Sequence, residues 1–229
     1  MFLAATYLSG TYTCFPALSR LDGAAPFDCE FCSVSRTAGH SYRFRPTEEA
    51  LEDVASLENR LVFFVNDIIN GHRAHALQLF RSLKVKGLKW AGQATVLIAR
   101  DGELMDAAFE AGCRGLFIGF ETFFEACEAL HRKRIAIWGG FVFGLDSDTI
   151  ESLQETARLA AEAKLEFAQF SRLTPLPGTA QWKQFEAEDR PVERDWSKVK
   201  LFWIYLSISA VAVRRINRGT RKWKNGREG

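Results

Sequence analysis

Gly115-Leu116-Phe117-Ile118-Gly119-Phe120 is an apolar run of six residues, preceded by Gly112 and closed by the polar pair Glu121-Thr122. Continuous apolarity over such a length, with no polar alternation, is what a strand requires when it lies in a parallel sheet covered by helices. Leu61-Val62-Phe63-Phe64-Val65 has the same character. Working outward, strands are expected at Leu61–Val65, Leu88–Thr95, Gly115–Phe120, Ile135–Phe143 and Glu166–Leu173, from their β-branched and aromatic content. Stretches with a helical period lie between them, near Thr47–Asn59, Arg73–Lys84, Asp101–Ala111 and Thr149–Lys164. Thr47 follows Pro46 and precedes two glutamates, a helix start, while Gly87 and Gly112 stand where helices should stop. The resulting βα repeat predicts an α/β fold, a partial TIM-type (β/α)6 barrel of parallel strands, with a doubly wound open sheet as the alternative.

The 229 residues, 47% hydrophobic and 25% charged, suffice for one sizeable core. The formal net charge of +2 conceals an asymmetry. Residues 214–229 hold seven Lys/Arg against one Glu, so the preceding residues carry 23 basic against 27 acidic side chains. The body of the protein is therefore not a basic nucleic-acid binder. Five unevenly spread cysteines, Cys14, Cys29, Cys32, Cys113 and Cys127, with no cleavable leader, argue against a secreted disulfide framework and for a reducing cytoplasm.

In either fold the ligand site forms from polar residues just beyond the carboxyl ends of the strands. These are Asn66-Asp67, Gln93 and Thr95, Glu121-Thr122, Asp146 and Asp148, then Gln169, Ser171 and Thr174. Polar loops after strands are also ordinary, and Asp146 or Asp148 could simply cap the next helix. A second candidate is the pair Cys29-Glu30-Phe31-Cys32. By spacing alone a C-x-x-C is open to three chemistries: a redox dithiol, half a zinc site or two ligands of an iron-sulfur cluster. Zinc would need two further Cys or His at matching spacing, and the four histidines are scattered. His72 and His75, at the start of an expected helix, read as structural and solvent-facing.

Pro26-Phe27-Asp28-Cys29-Glu30-Phe31-Cys32-Ser33-Val34, followed by Arg43-Phe44-Arg45-Pro46, resembles the radical S-adenosylmethionine (SAM) enzymes, in particular the core of those fused to a cobalamin-binding domain. The likeness continues in order through Leu61–Asp67, Gly112–Glu121, Phe141–Thr149 and Leu173-Thr174-Pro175-Leu176-Pro177-Gly178-Thr179, covering about residues 26 to 197. It implies a core barrel over 1–197 and a 4Fe-4S cluster held by three thiolates. The cluster's fourth iron takes the amino and carboxylate groups of SAM, and one electron then cleaves the sulfonium to release a 5′-deoxyadenosyl radical. Cys29 and Cys32 match the second and third cysteines of the family's C-x3-C-x2-C motif. Phe31 matches an aromatic near adenine, Asn66-Asp67 the site for the methionine amino group, Glu121 a contact to the ribose or amino-acid portion, and Gly144 the segment packed on adenine. A small-molecule substrate and a reductant such as a flavodoxin or ferredoxin are implied as partners, and cobalamin is not expected on this chain alone.

Besides Ile68, which stands where an asparagine is usual, the chain departs from the family in three places. Ala25 stands where the first cluster cysteine belongs, and Cys14, with fourteen residues between it and Cys29, is the nearest replacement. Either Cys14 completes a C-x14-C-x2-C cluster or the chain is an impaired remnant that binds without radical chemistry. Only thirteen residues separate Glu121 from Ile135, which implies a truncated barrel helix. Beyond Trp196 the likeness ends, and 198–229 form a divergent tail: an apolar run, Leu201–Val213, then a basic segment. Thirteen apolar residues fall short of the roughly 20 that span a bilayer. A buried helix or strand is expected there, with an interfacial membrane anchor as the alternative.

Overall fold

The computed structural model describes residues 22–23, 29–38, 43–44, 46–55, 61–65, 67–119, 124–190, 192, 194–195 and 203–207. In chain order the elements are β1 (Asp22–Gly23), α1 (Ser33–Ala38), β2 (Arg43–Phe44), α2 (Thr47–Ala55), β3 (Leu61–Phe64), α3 (Arg73–Lys84), β4 (Lys89–Ala94), α4 (Gly102–Glu110), β5 (Cys113–Gly119), α5 (Phe124–Arg132), β6 (Ala136–Phe143), α6 (Ile150–Glu162), β7 (Phe167–Arg172), α7 (Ala180–Ala187) and β8 (Trp203–Ser207). A 3-10 turn, Val96–Arg100, links β4 to α4.

The main sheet runs β3-β4-β5-β6-β7-β8 in strict sequence order, and β1 pairs with β2 in a separate antiparallel ribbon. From β3 to β7 every pairing is parallel. Unbroken order without a reversal is single winding, so the sheet curls as part of a barrel, and the doubly wound alternative is set aside. Burial agrees. Val62, Phe64, Trp90, Leu116, Ile118 and Ile137 are almost fully buried, whereas the residues between them, such as Phe63, Gln93, Phe117 and Trp138, are only partly covered. Helices thus seal one face and leave the other half open. Under the helices Phe80 of α3 stacks on Trp90 at 5.3 Å between ring centroids, and the Trp90 indole N–H donates to the Ala111 carbonyl at 3.1 Å.

The five parallel strands fall where the apolar runs lie, each within two residues of its expected bounds. Helix α3 spans Arg73–Lys84 as expected, and Gly87 and Gly112 both take positive φ at the ends of their helices. In the short connection after β5, α5 still forms nine residues of helix, as many as α2 or α4. The sixth strand of the main sheet comes from the apolar tail: β8 lies antiparallel to β7, with Tyr205 opposite Gln169 and Trp203 opposite Ser171. Among the described residues no helix is long and apolar enough to cross a membrane.

On the half-open face the Phe117 ring lies edge-on to Trp138 at 5.6 Å, over the backbone of the next strand. Gly140 makes room for it: a Cβ there would lie 2.6 Å from the Phe117 Cζ.

Candidate functional site: a cysteine turn at the rim of the sheet

Cys29 to Cys32 form a tight turn, in which the Cys32 N–H donates to the Cys29 carbonyl at 3.0 Å, and α1 starts at the next residue. Neither cysteine is in a disulfide; Cys29 is exposed and Cys32 half-buried, with Phe31 between them 40% exposed. A long-range contact places this turn. The N–H of Gln181, in the first turn of α7, donates to the Glu30 carbonyl at 3.1 Å. Helix α7 starts there because Thr179, fully buried, caps it: its Oγ1 accepts from the Trp182 N–H at 3.1 Å and donates to the Leu176 carbonyl at 2.6 Å. The loop Leu173–Gly178 leaves the carboxyl end of β7, so the cysteine turn is fastened to the rim of the parallel strands, where single-wound α/β folds place their ligand sites.

Gly144 follows β6 with φ +102°, a conformation that favours glycine. Asp148 shapes this loop by accepting from the Gly144 and Leu145 N–H groups at 2.7 and 2.9 Å. Asp146 points instead to Arg190, whose hydrogen bonds hold its carboxyl below the usual range. Neither aspartate caps the following helix. Thr149 does so, in a reciprocal pair with Ser152, because it is the last extended residue before the helix and its hydroxyl reaches the third N–H.

Beyond β3, Asp67 is half-buried, and the chain is stitched to the end of β4. The Ile69 N–H donates to the Gln93 carbonyl at 2.8 Å. The Asn70 carboxamide donates to Thr95 Oγ1 and accepts from the Thr95 N–H, both at 2.8 Å. Of the other rim residues, Ser171 and Thr174 donate their hydroxyls to the Phe141 and Arg172 carbonyls, while Gln169 is buried. His72 caps α3 by accepting from the His75 N–H at 3.3 Å, the structural role expected of the pair.

The structure therefore describes Cys29, Phe31, Cys32, Asp67 and Gly144 of the expected site, whereas Cys14, Asn66 and Glu121 lie outside the described residues. The cysteine turn fits two ligands of an iron-sulfur cluster: two thiols in one turn, outside any disulfide, Cys29 exposed and Cys32 half-buried. Among the described residues no three Cys, His, Asp or Glu converge on a metal position, so they do not supply a third ligand. Cys113 and Cys127 are buried in the core, where desolvation pushes their thiols up to about 12 and about 11. Three residues that organise the site were not singled out from the sequence: Asn70, Gln181 and Arg190. Asn70-Gly71 carried a turn signal, but the partners of all three are remote in the chain.

No family model matches the chain. It is 29% identical over 197 residues to the bacteriochlorophyllide d C-12(1)-methyltransferase of Chlorobaculum tepidum, covering 76% of this chain and 43% of that protein. It is 27% identical to the hopanoid C-2 methylase of Rhodopseudomonas palustris, over 74% of this chain and 38% of the relative. The anaerobic magnesium-protoporphyrin IX monomethyl ester cyclase of Cereibacter sphaeroides is 26% identical over 80% of this chain and 34% of its own length. The chain thus spans about two fifths or less of the length of these curated relatives. Among solved structures, the radical SAM methyltransferase TsrM of Kitasatospora setae, with cobalamin and a 4Fe-4S cluster bound, superposes with a TM-score of 0.66 at 17% identity, over 73% of this chain and 36% of that one.

Sheet order and cysteine turn define a parallel α/β barrel core with a cysteine pair at its rim. In sequence the chain is similar to methyltransferases and a cyclase, and its fold is that of the core of the radical SAM methyltransferase TsrM.

Proposed function

We propose that this domain binds a 4Fe-4S cluster through Cys29 and Cys32, with Cys14 as the third thiolate, and binds SAM across the rim formed by Phe31, Asn66, Asp67, Glu121 and Gly144. The observation that carries this reading is the hydrogen bond between Gln181 and Glu30, which fastens the cysteine turn to the carboxyl-end rim. When bound, the cluster supplies the electron that cleaves SAM reductively. The residues of this chain hold the thiolates, shape the Gly144 loop through Asp148, and offer an apolar face at Phe117 and Trp138 that limits water. A small molecule is the substrate, methyl transfer is the class of outcome favoured by the relatives' names, and a flavodoxin or ferredoxin in the cytoplasm provides the electron.

Anaerobic reconstitution, iron counting and low-temperature EPR test this. About four irons per chain are expected, falling well below that in Cys29→Ala, Cys32→Ala and Cys14→Ala. Fewer than about two irons and no signal from the reduced wild-type protein would defeat the proposal. That outcome favours the second reading, a remnant that binds a nucleotide-like ligand without radical chemistry, for which Ala25 at the position of the first family ligand is the specific indication.

A further inference from the structure

Gln181 is 8% exposed, and its Oε1 is buried with no hydrogen-bond partner among the described residues. A buried carboxamide oxygen left unpaired destabilises a fold, so it calls for a donor that the described residues do not supply. Its location narrows the donor. The N–H of the same residue is bonded to Glu30, midway between Cys29 and Cys32, and the residue lies in the first turn of α7, an end of positive potential. A group suited to both features carries an N–H donor for the oxygen and a negative charge for the helix end. The α-amino-acid end of a zwitterion has both.

We propose that Gln181 is a binding residue for the methionyl end of SAM, its Oε1 accepting from an N–H of the ligand's α-amino group. This rests on the functional reading above and extends it to a residue on α7. The side chain trades stability of the empty domain for affinity: an apolar residue of similar length would pack better without ligand and bind the ligand less well.

The test compares Gln181→Leu with wild type, using the full chain with and without iron-sulfur reconstitution. Equilibrium dialysis with SAM and with 5′-methylthioadenosine, which lacks the amino-acid end, is paired with thermal melts. We expect the variant to melt higher when empty, to bind SAM roughly tenfold more weakly, as for loss of one buried hydrogen bond, and to bind methylthioadenosine unchanged. Gln181→Met, unbranched and of similar length, serves if the leucine variant does not fold, with the same expectations. Unchanged SAM affinity, an equal loss for both ligands, or a lower melting temperature overturns this inference alone. A wild-type chain that binds neither ligand overturns it together with the functional reading.

Discussion

Arg190 donates from both terminal guanidinium nitrogens to the two carboxylate oxygens of Asp146, at 2.7 and 2.8 Å, while its guanidinium lies 3.7 Å from the centroid of the Phe185 ring. This paired contact ties the loop after β6 to the end of α7, across 44 residues of sequence. The same loop begins at Gly144, and the opposite end of α7 holds the cysteine turn, so one helix organises two parts of the candidate site.

Arg190→Ala should therefore loosen residues 144–148 while leaving the fold intact, because the pair is exposed to solvent. Amide exchange in that loop is expected to accelerate, and SAM affinity to fall by about threefold. The lowered pKa of Asp146 gives the pH dependence: the tether is present above the ordinary carboxylate pKa and is lost as pH falls through the depressed one. Exchange rates that do not respond to either change would show that the tether does not order the loop.

Asn70→Ala should cost about 1–3 kcal/mol in urea denaturation, because it leaves the Thr95 N–H without its partner at a partly buried position. Asn70→Asp keeps the acceptor for that N–H and accepts from the Thr95 hydroxyl where Asn70 donated to it, at the cost of a partly buried charge, and is expected to fall between wild type and the alanine variant.

Gly140→Ala is expected to destabilise by about 1–3 kcal/mol through its collision with Phe117. Adding Phe117→Leu should recover part of the loss, because the ring is the obstacle. Additivity of the two changes in a double-mutant cycle would refute the contact.

Of the four described cysteines, iodoacetamide at pH 8 should label Cys29 and Cys32 in the native protein and spare Cys113 and Cys127, whose thiols are buried and held neutral. The folded chain binds these two protons more tightly than the unfolded one. Their contribution to stability is therefore complete below the unfolded thiol pKa of about 8.5 and is lost as pH rises through about 11 and about 12. Cys113→Ala should flatten the alkaline limb of a stability-pH curve, and an unchanged slope would contradict the assignment.

The strands could be read because each is a local property: Leu116 and Ile118 are apolar for the helices on one face, Phe117 for its neighbours on the other. Thr47 and the glycines after α3 and α4 mark helix ends through their own backbone chemistry. The apolar tail announced burial but not direction, since antiparallel pairing of β8 depends on how the chain returns after α7. Asp146 and Asp148 could be placed on the rim, yet their partners, Arg190 and two backbone amides, could not be foreseen from spacing. Gln181 gave no signal at all. One polar residue in an amphipathic helix looks like any other until the fold buries it.

The pairing of β8 with β7 also bears on where this chain can be cut. A version ending before Trp203 would bare the main-chain donors and acceptors along residues 167–171 that β8 now covers, beside the apolar Ala168 and Phe170. An uncovered ladder of that kind recruits strands from other molecules, so a shortened domain would be prone to aggregate before any question of cofactor arose.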